Sequence, residues 1–419
     1  MEDETMNESL AKTASWPMSL IAFGFYFSLF FDPWGPIPRY FGWLLCIIGI
    51  VGLFILQSSE LRRPVLDPAV KIIIYIMIIW SVFTTLLNFY GWYHFGKGVS
   101  NPLEAVFGLW LTASVVAKEG TGRFQKVWWA SSVLIFAAYI LQAGKVFDIT
   151  VISNINTVGL YAIVALPMSL NFAVRRYDSR LLNVISFLTV VLNLTVLFLS
   201  FSSGPWLVGG IEILLFLIIA RPGKYGLFKG LLIPLLITVL LAGLFAFNQP
   251  DYLGRFKREI SQLLSFSGDL SEFTNRRWDI WEQTVHLISE KPFTGWGWIR
   301  YQTLYLMNEL KPISGSAIPL EPHNMYLQLL TYGGFPLLIV VMGLMLRCAW
   351  LAWRKLKGCK GENKYLYAAV LTTIIAIMIY SMAGSIFAAR QKIGFLFWAL
   401  CGIAAALPER GKGSVQDDA

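Results

Sequence analysis

The chain has 419 residues, of which 56% are hydrophobic and only 14% charged, with a mean hydropathy of +0.60. That composition excludes a soluble globular domain and makes lipid the solvent for most of the chain. The formal charge of +9 comes without a basic arm or a recognisable binding motif, so it does not indicate a nucleic-acid partner.

The opening stretch MEDETMNESLAK is acidic and lacks the basic region and small-residue cleavage site of a secretory signal, so the first apolar run is expected to be retained. Apolar runs long enough to cross the hydrocarbon core as helices then recur from end to end. They predict an all-α polytopic membrane protein with about twelve transmembrane helices, near 15–32, 40–57, 71–90, 101–117, 125–143, 153–173, 181–200, 205–220, 227–248, 324–346, 365–386 and 393–408. The division is a tail over 1–14, spans 1–9 within 15–248, a large helical loop over 249–323, spans 10–12 within 324–408 and a tail over 409–419. Cys46, Cys348, Cys359 and Cys401 fall in spans or at an inner edge. Their spacing suggests neither a disulfide framework nor a zinc site.

Charge sets the orientation. With both tails cytoplasmic, the inner loops carry Arg62, Arg63 and Lys71; Lys118, Arg123 and Lys126; Arg175, Arg176 and Arg180; Arg221, Lys224 and Lys229; and Arg354, Lys355, Lys357, Lys360 and Lys364. The outer connections hold chiefly Arg39, Lys97, Lys145, Arg390 and Lys392, the asymmetry that the positive-inside rule requires. The connection from Asn248 to His323 is far longer than an ordinary loop and faces outward, so it is expected to be functional. Within it, 252–266 and 273–290 read as amphipathic helices, the second ended by Pro292 and the Gly295-Trp296-Gly297-Trp298 turn.

Two of the three histidines, His286 and His323, belong to this outer segment, together with Arg255, Lys257, Arg258, Arg276, Arg277, Arg300 and Lys311. Guanidinium forks match phosphate oxygens, so an outward arginine group suits a diphosphate anion. The same cations also have Asp269, Glu272, Asp279 and Glu282, or anionic lipid headgroups, as possible partners. His323 is the sharper candidate, because Glu321-Pro322-His323-Asn324 leads directly into an apolar run. That places the imidazole at the N-terminal end of a membrane helix, where the helix field disfavours the charged ring, which suits either a general base or, as is commoner for a lone histidine at a helix end, a structural residue.

Inside the eighth span, Glu212 is an ionisable group at a costly depth, either protonated or bonded to a neighbour such as Asn193. Asn154 and Asn156, with Ser200, Ser202 and Ser203, either line an outward cavity or cap helices. Trp16, Trp34, Trp43, Trp92, Trp128, Trp129, Trp206, Trp296 and Trp298 fall near predicted interfaces and suit an aromatic belt, with sugar stacking a secondary role for Trp296 or Trp298.

Three short motifs, in order, resemble the O-antigen ligase and polysaccharide polymerase superfamily of bacterial envelope enzymes. Arg277-Trp278-Asp279-Ile280-Trp281 is similar to the family's arginine followed by an apolar residue and a tryptophan, and Lys291-Pro292-Phe293-Thr294-Gly295-Trp296-Gly297 resembles its Pro-x-x-Gly-x-Gly turn. His323-Asn324-Met325-Tyr326-Leu327 resembles its His-Asn-x-x-Leu motif, and Tyr332-Gly333-Gly334 follows at a similar place. Ser153-Asn154-Ile155-Asn156 is a looser likeness. The resemblance covers about the last two thirds of the chain in layout, with its motifs concentrated within 275–336.

The resemblance implies metal-independent transfer, with no cofactor, of an undecaprenyl-diphosphate-linked glycan to an acceptor hydroxyl at the periplasmic face of the bacterial inner membrane. The acceptor would be lipid A-core for a ligase, or a growing glycan for a Wzy-like polymerase. It implies that His323 is the base or acceptor-orienting group and that Arg277 binds the diphosphate. Asn324, Tyr326, Trp296 and Asn156 are further substrate-binding candidates. Family members carry a second arginine after serine at the outer end of the seventh span, where this chain reads Ser202-Ser203-Gly204-Pro205. Arg276, Arg300 and Arg390 are the candidates to replace it. A lipid or polysaccharide transporter and a purely structural membrane protein are the competing readings; polar groups gathered on one side disfavour the first and the folded outer segment disfavours the second.

Overall fold

A computed structural model describes residues 15–31, 36–56, 65–143, 155–248, 254, 257, 261, 277–299, 301–307, 321–359, 361–386 and 394–407. The helices are α1 (Ser15–Phe31), α2 (Pro36–Ile55), α3 (Pro68–Leu87), α4 (Trp92–Glu119), α5 (Gly122–Ala143), α6 (Ile155–Ala173), α7 (Arg180–Leu199) and α8 (Ser203–Ala220). A short α9 (Lys224–Leu227) passes through a π-helical turn, Phe228–Leu232, into α10 (Ile233–Asn248). There follow α11 (Arg277–Glu290), α12 (Tyr301–Met307), α13 (Met325–Gly358), α14 (Asn363–Tyr380) and α15 (Gly394–Ala405). Among the described residues nine helices are long and apolar enough to cross a membrane, and α1, α6 and α15 supply shorter apolar helices. A helix stands at each stretch expected to span, and the chain is an all-α polytopic membrane protein. The expected helix over 252–266 lies outside the described residues except at Gly254, Lys257 and Ser261.

Burial separates inner helices from lipid-facing ones. Every residue of α15 is buried, as is every described side chain of α6 from Thr157 to Ala173, the pattern of helices surrounded by other helices. By contrast α10 exposes Leu236, Val239, Leu240 and Leu244. The expected aromatic belt is only partial. Trp16 and Trp92 are exposed, whereas Trp128, Trp296 and Trp298 are buried at 3%, 8% and 4% exposure, because helix packing and the turn described next cover them.

Three boundaries differ from expectation in ways that matter. The fourth helix starts at Trp92, nine residues before the apolar run, and absorbs Pro102. The eleventh span stops at Tyr380, so 381–386 is a turn and not helix. The tenth runs on to Gly358 but is broken at Gly333 (φ −141°, ψ 16°) and Gly334 (φ 66°, ψ −167°).

The break explains two of the motifs together. Pro336 has no N–H to give Tyr332 O, and the glycines carry the chain out of the helix, which leaves backbone groups that must be satisfied inside the protein. The Lys291–Gly297 turn supplies the partners. Trp296 N donates to Thr331 O (2.7 Å), Gly297 N to Tyr332 O (2.9 Å) and Phe335 N to Pro292 O (2.9 Å), while the Trp80 indole of α3 donates to Gly333 O (2.7 Å). A β-carbon on Gly334 would lie 2.4 Å from the Phe293 carbonyl carbon, at a φ of +66°. Gly334→Ala is therefore expected to undock the turn and cost roughly 2 kcal/mol or more from strain and lost hydrogen bonds, read as a lower thermal midpoint in detergent.

At the opposite end of α13, Arg347 grips Asp67 through Nε (3.0 Å) and Nη2 (2.8 Å). Asp67 Oδ1 also caps α3 by accepting from Ala69 N and Val70 N, and Lys355 Nζ donates to the terminal carbonyls Ile403 O and Ala406 O beside α15. Asp67→Asn keeps much of the cap but breaks a bidentate pair whose side chains are 29% and 10% exposed. An expected loss of about 1–2 kcal/mol, intermediate between surface and buried pairs, is checked by thermal melting.

Candidate active site

The site forms where α11 and the start of α13 dock on the turn after α14. Arg277, the first residue of α11, donates from Nη1 to Ala383 O (2.8 Å). Met325 N, at the start of α13, donates to Ser381 O (2.8 Å) and Gly384 O (2.9 Å) of the same turn. One helical turn after Arg277, the Trp281 indole donates to Pro322 O (2.8 Å). Two segments far apart in sequence are thus fastened to one platform, and Arg277 and His323 come close enough to interact electrostatically.

His323 sits immediately before the N-cap of α13. Asn324 Oδ1 accepts from Tyr326 N (3.0 Å) and Leu327 N (3.1 Å), the side-chain cap that Asn at this position makes. His323 itself has φ +47°, a left-handed conformation that non-glycine residues adopt uncommonly and at a cost. Its imidazole has no hydrogen-bond partner among the described residues. Burial first, and then the positive charge of Arg277, hold its pKa below the ordinary imidazole value. The ring is therefore neutral at physiological pH, the state a general base needs.

Around this pair the polar groups are interlinked. Ser385 donates to Gln328 Oε1 and Gln328 Nε2 donates to the Tyr332 hydroxyl (3.0 Å), while the Tyr326 hydroxyl donates to Met378 O. Trp296 packs with Leu287, Ile299 and Leu304, donates its indole N–H to Leu287 O (2.8 Å) and lies 4.1 Å beneath Lys291 Nζ. Its contacts serve the turn. Lys291 in turn donates to Asn88 Oδ1 (2.7 Å), and Asn88 Nδ2 donates to Gly295 O (3.2 Å).

His286 is exposed on α11 and faces Glu290 at 3.5 Å, apart from these contacts. Asn156 stands in the first turn of α6, its side chain outside the description. Arg276, Arg300 and Arg390 lie outside the described residues. Sequence reasoning missed the Ser381–Ser385 platform, whose small apolar residues read as the end of a span, and Gln328. The Ser-Met-Ala-Gly-Ser run was the available signal.

Beside the site opens an apolar groove of about 680 Å³. Tyr326 and Met382 line it next to the platform, and Leu346, Trp350 and Trp353 of α13 with Ile375 of α14 continue it along the bundle.

A search of curated proteins finds no match to this chain. Residues 188–342 match the family model described as O-antigen ligase. That stretch runs from within α7 to the middle of α13 and holds all three motifs, so the similarity to the O-antigen ligase family falls on the segment that builds the site.

Proposed function

We propose that this protein is a metal-independent glycosyltransferase that moves an undecaprenyl-diphosphate-linked glycan onto an acceptor hydroxyl at the periplasmic face of the inner membrane, acting as an O-antigen ligase on lipid A-core. The observation that carries the reading is the imidazole of His323, without a hydrogen-bond partner among the described residues and held toward its neutral form by burial and by the anchored guanidinium of Arg277, at the head of an apolar groove.

His323 takes the proton from the acceptor hydroxyl as its oxygen attacks the anomeric carbon. The bond from that carbon to the diphosphate oxygen breaks, and the carrier diphosphate departs with the electron pair. Arg277 meets the charge that builds on the departing oxygen, in a part-buried position where such stabilisation is strong. One Nη1 hydrogen is committed to Ala383 O, which fixes the fork before substrate arrives. The polyprenyl tail lies along the groove below Tyr326. Asn324 sets the helix start behind the base, and Arg276, Arg300 and Arg390 are the candidates for a second guanidinium on the diphosphate.

The decisive experiment reconstitutes the purified protein with a carrier-linked glycan and offers either lipid A-core or a second carrier-linked chain. Glycan joined to lipid A-core establishes the ligase. Lengthening of the second chain establishes the polymerase reading, which shares all three motifs and differs in acceptor alone. Transfer to neither removes the proposal.

A further inference from the structure

We infer that the bundle holds, halfway along α8, a binding site for a monovalent cation centred on Glu212. The residue lies on the buried face of α8, with Val208, Gly209 and Phe216, and is 0% exposed. Neither carboxylate oxygen has a hydrogen-bond partner among the described residues. The neighbour expected to bond it, Asn193, is engaged with Ser169 of α6 (3.2 Å).

Helix register places one more oxygen at the same depth. A β-carbon on Gly204 would meet Tyr380 at 4.0 Å; since α8 and α14 run in opposite directions, eight residues onward along α8 and eight back along α14 set Glu212 level with Thr372. On α7 the register brings no second oxygen: a β-carbon on Gly209 would lie 2.5 Å from Leu197, and Thr195, two residues and so about 200° round the helix from Leu197, faces away from α8. The hydroxyl of Thr372 is buried and likewise without a partner among the described residues. Three unpaired oxygens from two helices thus share one layer.

A bare carboxylate in an apolar interior is costly unless charge is balanced. The groups that α6, α7 and α14 contribute cannot balance it. Arg180 and Lys364 stand at the far helix ends, and Tyr161, Tyr365, Tyr367 and Tyr380 carry no positive charge. One carboxylate balances one positive charge, so the site suits a singly charged ion, and carboxylate with hydroxyl oxygens is a hard donor set. Na⁺ fits that chemistry. Occupancy would tie α8 to α14, the helix whose end carries the platform for Arg277.

The test labels the purified protein with a lipid-soluble carbodiimide, which adds across the O–H of a protonated carboxyl group, and locates the product by peptide mass spectrometry. Melting of wild type and Glu212→Gln is followed in NaCl and in choline chloride across a pH series. A sodium site gives roughly tenfold slower labelling of Glu212 once Na⁺ is about ten times its Kd, with a wild-type Tm that rises with Na⁺ and a flat response in Glu212→Gln. Labelling that declines as pH rises but ignores Na⁺ is the behaviour of an ordinary protonated carboxyl and overturns the inference. Wild-type labelling and melting that both ignore pH and Na⁺, or melting that follows them as Glu212→Gln does, overturns the inference. The labelling arm needs no variant, so it decides even if Glu212→Gln fails to fold.

Discussion

Replacing His323 with glycine is expected to abolish glycan transfer while leaving the thermal midpoint at or above that of the wild type. The position has φ +47°, where a residue with a β-carbon is strained by about 1 kcal/mol and glycine is not. Stability and activity should therefore move apart, whereas loss of a merely structural histidine would lower both. The expected fall in turnover is at least about 10²-fold, the usual range for removing a general base. His323→Ala should lose transfer equally but keep the strain, and His323→Asn, tolerant of the same backbone, makes a second control. Turnover of carrier-linked glycan and melting in detergent are the two measurements. Full transfer by the glycine variant would refute the base; loss of transfer together with a collapsed melt would make the residue structural.

Most of the helices were legible because a membrane imposes a length on each of them. The apolar runs mark helices such as α7 and α8 to within two residues at each end. What hydropathy cannot register is backbone satisfied from elsewhere in the fold. The break at Gly333 and Gly334 sits in an apolar run and is held by Pro292, Trp296, Gly297 and Trp80, so only the Gly-Gly-x-Pro signal hints at it. The Ser381–Ser385 turn reads as helix for the same reason.

His323 stood out because imidazole is rare in this chain, which has three histidines, and Arg277 because its motif resembles that of the family. Their connection could not be read, since it runs through Ala383 O and Pro322 O, and a carbonyl has no signature in sequence. Trp296 shows the converse. Its residue type invited a sugar-stacking role, while its neighbours place it in the small core beneath the turn.

Arg277 allows the charge and the fork of one side chain to be separated. Burial and the Arg277 charge both lower the pKa of His323, so wild-type kcat/KM is expected to stay level through neutral pH and to fall on the acid side only below the ordinary imidazole range, as the base becomes protonated. Arg277→Gln removes the positive charge. Protonating His323 then becomes easier, its pKa rises, and the acid limb moves to higher pH, on top of a fall in transfer of about 10²–10³-fold from the lost donor. Arg277→Lys retains the charge, so its acid limb should stay near that of the wild type. Transfer should still fall, because an ammonium cannot hold Ala383 O and present a planar fork to a diphosphate at once. An unshifted limb in Arg277→Gln would mean that His323 is not the group titrating in the rate. Wild-type donor KM and turnover in Arg277→Lys would mean that the guanidinium only fastens α11 to its platform and makes no contact with the diphosphate.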